Sequence, residues 1–143
     1  MKVETVLARK GHEVATVSPS ASLATVAQRL RLENIGALVV VEGDRLVGLV
    51  AERDVVHAFA EHRGATSEIK VAEVMARDVV TCRPDDSLTR ILALMTRHRV
   101  RHLPVLAGGR LAGLISIGDA VKHRLDELEL EASVLRDAYI VSR

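Results

Sequence analysis

Gly113-Leu114-Ile115-Ser116-Ile117-Gly118-Asp119 reads as a strand that runs directly into a helix. Leu111, Leu114 and Ile115 make the strand apolar, and Ser116 stands at an N-cap position with Asp119 three residues on, in the first helical turn. Two readings of that spacing are open. In one, Ser-x-x-Asp is a capping pair whose side chains satisfy free N–H groups, stabilising the helix start by about 0.5–2 kcal/mol. In the other, a hydroxyl, a carboxylate and the exposed N–H groups of a helix N-terminus form a site for a phosphorylated sugar.

Working outward, the stretch has a counterpart. A shift of 65 residues sets Gly48-Leu49 on Gly113-Leu114, Asp54 on Asp119, Thr16 on Thr81, Pro19 on Pro84, Leu38 on Leu103 and Arg45-Leu46 on Arg110-Leu111. The match is ungapped from Thr16 to Val56, and it extends back to Val6-Leu7-Ala8-Arg9 against Val74-Met75-Ala76-Arg77 once the first copy takes three extra residues around Lys10–Glu13. The chain therefore holds two copies of one unit.

Each copy has the same pattern. A short helical turn (3–8; 71–76) leads to a brief extended piece (15–17; 80–82) that stops at a proline. Leu23, Val26, Ala27 and Leu30, and likewise Leu88, Ile91, Leu92 and Met95, fall at amphipathic-helix spacing behind a serine cap. Two strands around a glycine turn follow (37–41 and 46–50; 103–106 and 111–115), then a second helix from Glu52 and from Ile117. The unit is α-β-α-β-β-α, an α/β (α+β) pattern, and packing one copy on the other would bury the strand face that two helices leave open. The expected organisation is a first repeat at 1–62, a linker at 63–70, a second repeat at 71–131 and a helical tail at 132–143. In that tail Leu125, Leu128, Ala132, Leu135 and Tyr139 recur at spacings of 3 and 4, a coiled-coil-like seam for a partner subunit or for the chain's own domain.

Composition narrows the function. Phe59 and Tyr139 are the only aromatic residues and the net charge is +1, which argues against nucleic-acid binding by base stacking or general charge attraction. Residues 81–124 carry 8 basic and 3 acidic side chains, so the segment around the opening stretch is the electropositive one. No apolar run reaches the ~18 residues that a membrane span needs, and a cytoplasmic protein with no membrane role is expected. Cys82 is the one cysteine and reads as a buried strand residue. The six histidines include one H-x-x-x-H pair, His98 and His102, and no H-E-x-x-H motif, and no metal site is expected. Asp85-Asp86 is a helix-start pair, and Arg97 to Arg99 complement a helix C-terminus.

The duplicated unit, with Gly-Leu-Val-Ala-Glu-Arg-Asp (48–54), Arg-His-Leu-Pro-Val (101–105) and Gly-Leu-Ile-Ser-Ile-Gly-Asp (113–119), resembles a pair of cystathionine-beta-synthase (CBS) domains, the Bateman module, of the small stand-alone bacterial type. The resemblance spans nearly the whole chain except the acidic tail. It implies two repeats related by a pseudo-twofold axis, clefts for adenosine ligands such as AMP, ATP, NAD or S-adenosylmethionine, and pairing into a homodimer. It places phosphate contacts at Ser116, Arg101 and His102, ribose hydroxyls on Asp119, and the base near Val80, Thr81, Leu103 and Pro104. An ionised Asp accepts from both hydroxyls of a ribose, which fits that role.

The first copy departs from the pattern. Ala51 replaces the serine, and Ala37-Leu38-Val39 stands where the second copy has His102-Leu103-Pro104. A weaker site is expected there, at Thr16, Ala37, Arg53 and Asp54, with Arg53 as a candidate phosphate holder, so Asp119→Ala should cost more affinity than Asp54→Ala. The expected function is a non-enzymatic sensor of an adenine nucleotide, with no cofactor required and a regulated protein partner. The alternative is a dimerising interaction domain with vestigial clefts. No nucleophile–base pair, Walker-type phosphate loop or metal cluster supports an enzyme.

Overall fold

The computed structural model describes residues 1–141. The chain runs α1 (Val3–Lys10), β1 (Thr16–Val17), α2 (Leu23–Leu32), β2 (Ala37–Glu42), β3 (Arg45–Ala51) and α3 (Glu52–Glu61), then a 3-10 turn (Thr66–Glu68), α4 (Val71–Val74), α5 (Leu88–His98), β4 (His102–Ala107), β5 (Arg110–Ser116) and α6 (Ile117–Val141). The two copies share the order and pairing of their elements. β1 pairs parallel with β2, and a single parallel bridge from Cys82 to Val105 repeats this beside β4. Both hairpins are antiparallel and carry a register shift at the same place, Val40/Val41 and Val105/Leu106. Each turns on a glycine at φ 58, Gly43 or Gly108, a left-handed conformation that a side chain would strain.

Alternation along the strands divides the interior. Leu38 and Val40 of β2 point into the first repeat's core, while Ala37 and Val39 point the other way into a third cluster with Leu49, partly buried Leu111 and Leu114 of β5, and Val79. That third cluster is the seam between the repeats. β2 is consequently buried on both faces at Ala37, Leu38, Val39 and Val40.

The opening helices are exchanged. Val3, Val6 and Leu7 of α1 lie in the core of the second repeat, with Leu88, Ile91, Leu103, Val105 and Ile115. Val71 of α4 and the following Met75 lie in the core of the first, with Val26, Leu38, Val40 and Val50. Full burial of each such side chain contributes roughly 1.5–3 kcal/mol. The residues before α1 and α4 are lysines that give no side-chain cap. Their free N–H groups are met by carbonyls of the opposite repeat: Val3 and Glu4 donate to Asp86 and Pro84, both at 2.9 Å, as Val71 and Ala72 donate to Ala21 at 2.8 Å and Pro19 at 2.9 Å. In return Leu88 donates to the Met1 carbonyl at 3.1 Å and Leu23 to that of Ile69 at 2.8 Å.

Gly48 and Gly113 allow this contact. A Cβ on Gly113 would sit 2.7 Å from Leu7 Cδ2, and one on Gly48 would sit 2.5 Å from Met75 Sδ and 2.9 Å from the Ala76 carbonyl oxygen. The stretch 62–70 is anchored by buried Thr66, whose hydroxyl donates to the His62 carbonyl. α6 runs unbroken for 25 residues to Val141, about 37 Å, so the tail from residue 132 is the far end of this helix. Residues 142 and 143 of the expected tail lie outside the described residues. No helix among the described residues is long and apolar enough to cross a membrane.

Candidate functional site

Each strand-to-helix junction, β3–α3 and β5–α6, presents a carboxylate at the seam. At the second, Asp119 Oδ2 accepts from the Ser116 amide and from Ser116 Oγ, both at 2.9 Å, while the Asp119 amide donates to Ser116 Oγ at 3.1 Å. The capping reading of the opening stretch is thus realised in full. At the first junction only the Ala51 amide reaches Asp54 Oδ2, at 2.8 Å, because Ala51 has no hydroxyl.

A residue that the sequence did not mark completes the second junction. Lys10, the last residue of α1, donates from Nζ to Asp119 Oδ2 at 2.6 Å and to the Leu114 carbonyl at 2.9 Å. His12 Nδ1 meets the Ala112 carbonyl at 3.2 Å, so the three-residue insertion of the first repeat lies along β5. The opposite repeat solves the same problem with backbone: Leu49 and Ala76 exchange hydrogen bonds of 3.0 and 2.9 Å. Burial raises the Asp119 pKa, but the Lys10 ammonium and the two Ser116 donors outweigh it and hold the carboxyl below its usual 3.8.

At the first junction a cavity of about 570 Å³ opens. Ala51, Arg53, Asp54 and His57 line it from the first repeat, with Arg99, Val100, Arg101 and His102 from the second. Arg53 and Arg101 are exposed and Asp54 is half-buried. The volume is in the range of small-molecule sites, and three guanidiniums beside the carboxylates of Glu52 and Asp54 suit a ligand with an anionic end and a hydroxyl-bearing middle. Arg99 sits in the left-handed region at φ 55, matching Asn34 at φ 53 in the other copy; Asn tolerates this backbone better than Arg does.

The candidate groups are therefore redistributed. Arg101 and His102, read from sequence with Ser116 and Asp119, line the cavity at Asp54. His102 also bridges the two junctions: it pairs in register with Ser116, and its ring abuts Gly36, where a Cβ would lie 3.1 Å from the imidazole. Burial pulls its pKa below 6.5, against the upward pull of Asp119 and Glu52. Leu103 is fully buried in the second core and Ala37 is 2% exposed in the seam, so neither offers a side chain to a ligand. Pro104 is buried, with its carbonyl taken by the Cys82 amide at 3.0 Å. Val80, Thr81 and Thr16 are half-buried, and the Thr16 carbonyl accepts from Arg29. Burial pushes the Cys82 thiol up to about 12, which makes it a poor nucleophile. Among the described residues no group of three metal-ligating side chains comes together.

Lys10 escaped the sequence reading, and Arg99, read there as a charge at a helix C-terminus, also lines the cavity. Lys10 had one signal, a basic last turn beside an insertion that broke the repeat, but nothing to say which carboxylate it would reach. Arg99 had the same spacing in its copy as Asn34, a residue that favours positive φ.

Fold and junctions together define a duplicated α/β protein with a cavity at the seam of its two halves. The chain belongs to the CBS domain family, whose pattern matches residues 5–61 and 71–126. It is 32% identical to the CBS domain-containing protein YhcV of Bacillus subtilis, over 79% of this chain and 80% of that one. Among solved structures it resembles the CBS-domain protein ATU1752 of Agrobacterium tumefaciens, at 40% identity and a TM-score of 0.84 over 87% of this chain and 99% of that one. A signal-transduction protein with CBS domains from Burkholderia ambifaria is similar at 37% identity and a TM-score of 0.84, over 88% and 95% of the two chains.

Proposed function

We propose that this chain is a non-enzymatic regulatory module that binds an adenine nucleotide, AMP, ATP or NAD(H), at the seam of its two repeats and passes the occupancy to a partner protein through a homodimer. The carrying observation is the cavity of about 570 Å³ in which Asp54 of one repeat meets Arg99, Arg101 and His102 of the other. Asp54 takes the ribose hydroxyls, the guanidiniums take the phosphate, and aliphatic walls such as Leu49 and Val56 hold the base in place of aromatics. With Asp119 engaged by Lys10, the stronger site is the first junction, the opposite of the ranking by hydroxyl content alone. A neighbour of the same fold holds adenosine-containing ligands: the CBS domain pair of protein MJ0100, 22% identical, is solved in complex with 5'-methylthioadenosine and S-adenosyl-L-methionine.

Calorimetry with AMP, ATP, NAD and NADH tests the reading. Binding tighter than about 1 mM is expected for at least one, and none below that concentration overturns it. Asp54→Ala should remove most of the affinity; a larger loss in Asp119→Ala would return the main site to the second junction. The interaction-domain alternative has its own observation, an apolar groove of about 600 Å³ between α2 and α3 beside exposed Val56. It predicts a melting temperature that no nucleotide raises.

A further inference from the structure

We propose that Lys10 is a charge-selective latch on the second junction, holding the Asp119 carboxylate against an uncharged diol and yielding it to a ligand that brings its own anion. The inference rests on the nucleotide reading given above and names the residue that sets selectivity at one of the two junctions. Its basis is the distribution of donors on one carboxylate. Oδ2 of Asp119 receives three side-chain or backbone donors, from Lys10 at 2.6 Å and from Ser116 twice at 2.9 Å. A ribose that engages both oxygens must displace one of them. The Ser116 amide is fixed in the backbone at the start of α6, and Ser116 Oγ is held by the Asp119 amide at 3.1 Å. Lys10 is the movable donor: a four-carbon stem ending in an ammonium, with its side chain 32% exposed.

Removing that ammonium from Asp119 leaves a cation beside the junction and breaks its bond to the Leu114 carbonyl. A neutral nucleoside offers the ammonium nothing in exchange. A phosphate does, as a charge-assisted acceptor of higher charge than the carboxylate it replaces. The latch therefore lowers the apparent affinity of every diol by the fraction of time it is closed, and phosphorylated ligands recover that loss. The first junction has no equivalent among the described contacts: Leu49, the counterpart of Leu114, is paired by the Ala76 backbone, and Asp54 accepts from the Ala51 amide. The two junctions thus differ in what frees the carboxylate.

The test uses the full chain in an Asp54→Ala background, which leaves the second junction to be read alone, and compares Lys10 with Lys10→Met and Lys10→Arg for adenosine and AMP by calorimetry. Lys10→Met should tighten adenosine about tenfold, the value for a latch closed nine-tenths of the time, and should shrink the preference for AMP over adenosine. Lys10→Arg should keep the original preference. Weaker binding of both ligands in Lys10→Met overturns the latch, because Lys10 would then be holding the ligand or the fold. A second readout needs no ligand: the Asp119 carboxyl, followed by carbon NMR, should titrate at higher pH in Lys10→Met. An unmoved titration overturns the latch whatever binds. A moved titration with no nucleotide bound at either junction of the unmodified chain overturns the nucleotide reading instead, and the selectivity with it.

Discussion

Asp119 gathers its donors on one oxygen, and that has a measurable cost in acid. Its folded pKa is depressed, so the stabilisation by the ionised carboxylate is complete above the unfolded value near 3.8 and disappears as the pH falls through the lower folded value. Asp119→Asn should therefore destabilise the chain by about 1–2 kcal/mol in urea titrations near neutral pH, and the difference between the two proteins should close in strong acid. A constant difference at all pH values would show that the carboxylate charge is not what the junction uses. Ala51 offers the reciprocal experiment. Its backbone is already extended at φ −119 and ψ 170, as an N-cap requires, and the Asp54 partner is in place. Ala51→Ser should add about 0.5–1 kcal/mol by supplying the missing hydroxyl. At this scale the sequence was a good guide to capping, because caps are local: Ser116 and Asp119 are three residues apart and find each other wherever the helix goes. It could not assign Lys10, which reaches its partner across 109 positions of sequence.

At the scale of elements, helix and strand positions follow from periodicity, and the structure places both hairpins, α2, α3 and α5 where the spacing of Leu, Val and Ile puts them. The exchange of α1 and α4 was not legible for a physical reason. Periodicity tells which face of a helix is apolar and says nothing of whose core receives it, and Val3, Val6 and Leu7 would read the same in either repeat. Gly48 and Gly113 were the available signal, two glycines inside strands with no turn to explain them. They also separate in effect. Gly113→Ala meets the end of the Leu7 side chain, which can shift, whereas Gly48→Ala meets a backbone carbonyl as well as Met75. Both substitutions should lower the denaturation midpoint, by about 1–3 kcal/mol in stability for an overpacked contact, with Gly48→Ala the more damaging. Equal and negligible effects would mean that the opening helices sit more loosely than these distances require.

At the scale of the whole molecule, the ungapped shift of 65 residues carried the architecture, and the seam cluster of Ala37, Val39 and Leu49 against Leu111 and Leu114 is where the two copies meet. What the shift concealed was the division of the clefts, since the groups lining the cavity at Asp54 come from both copies and sequence places Arg101 nearer in number to Ser116. The outer surface bears on assembly. Leu125, Leu128, Leu135 and Tyr139 are 44–71% exposed along one stripe of α6. If that stripe joins the two copies of the proposed homodimer, Leu128→Lys with Leu135→Lys should shift the sedimenting species from dimer to monomer while the far-ultraviolet spectrum of the repeats is kept. An unchanged dimer would place the contact on other faces, among them exposed Val56 and Phe59 of α3.

The exchanged helices also set an order of events during synthesis. α1 leaves the ribosome ahead of β4 and β5, so Val3, Val6 and Leu7 have nothing to bury against until Leu103, Val105 and Ile115 have followed, on the order of ten seconds at ordinary elongation rates. The first repeat in turn stays open until Val71 and Met75 emerge to close it. Each half needs a helix from the other, so the nascent chain keeps α1 waiting as an amphipathic helix, and folding is completed as one late step that joins α1 to β4 and β5.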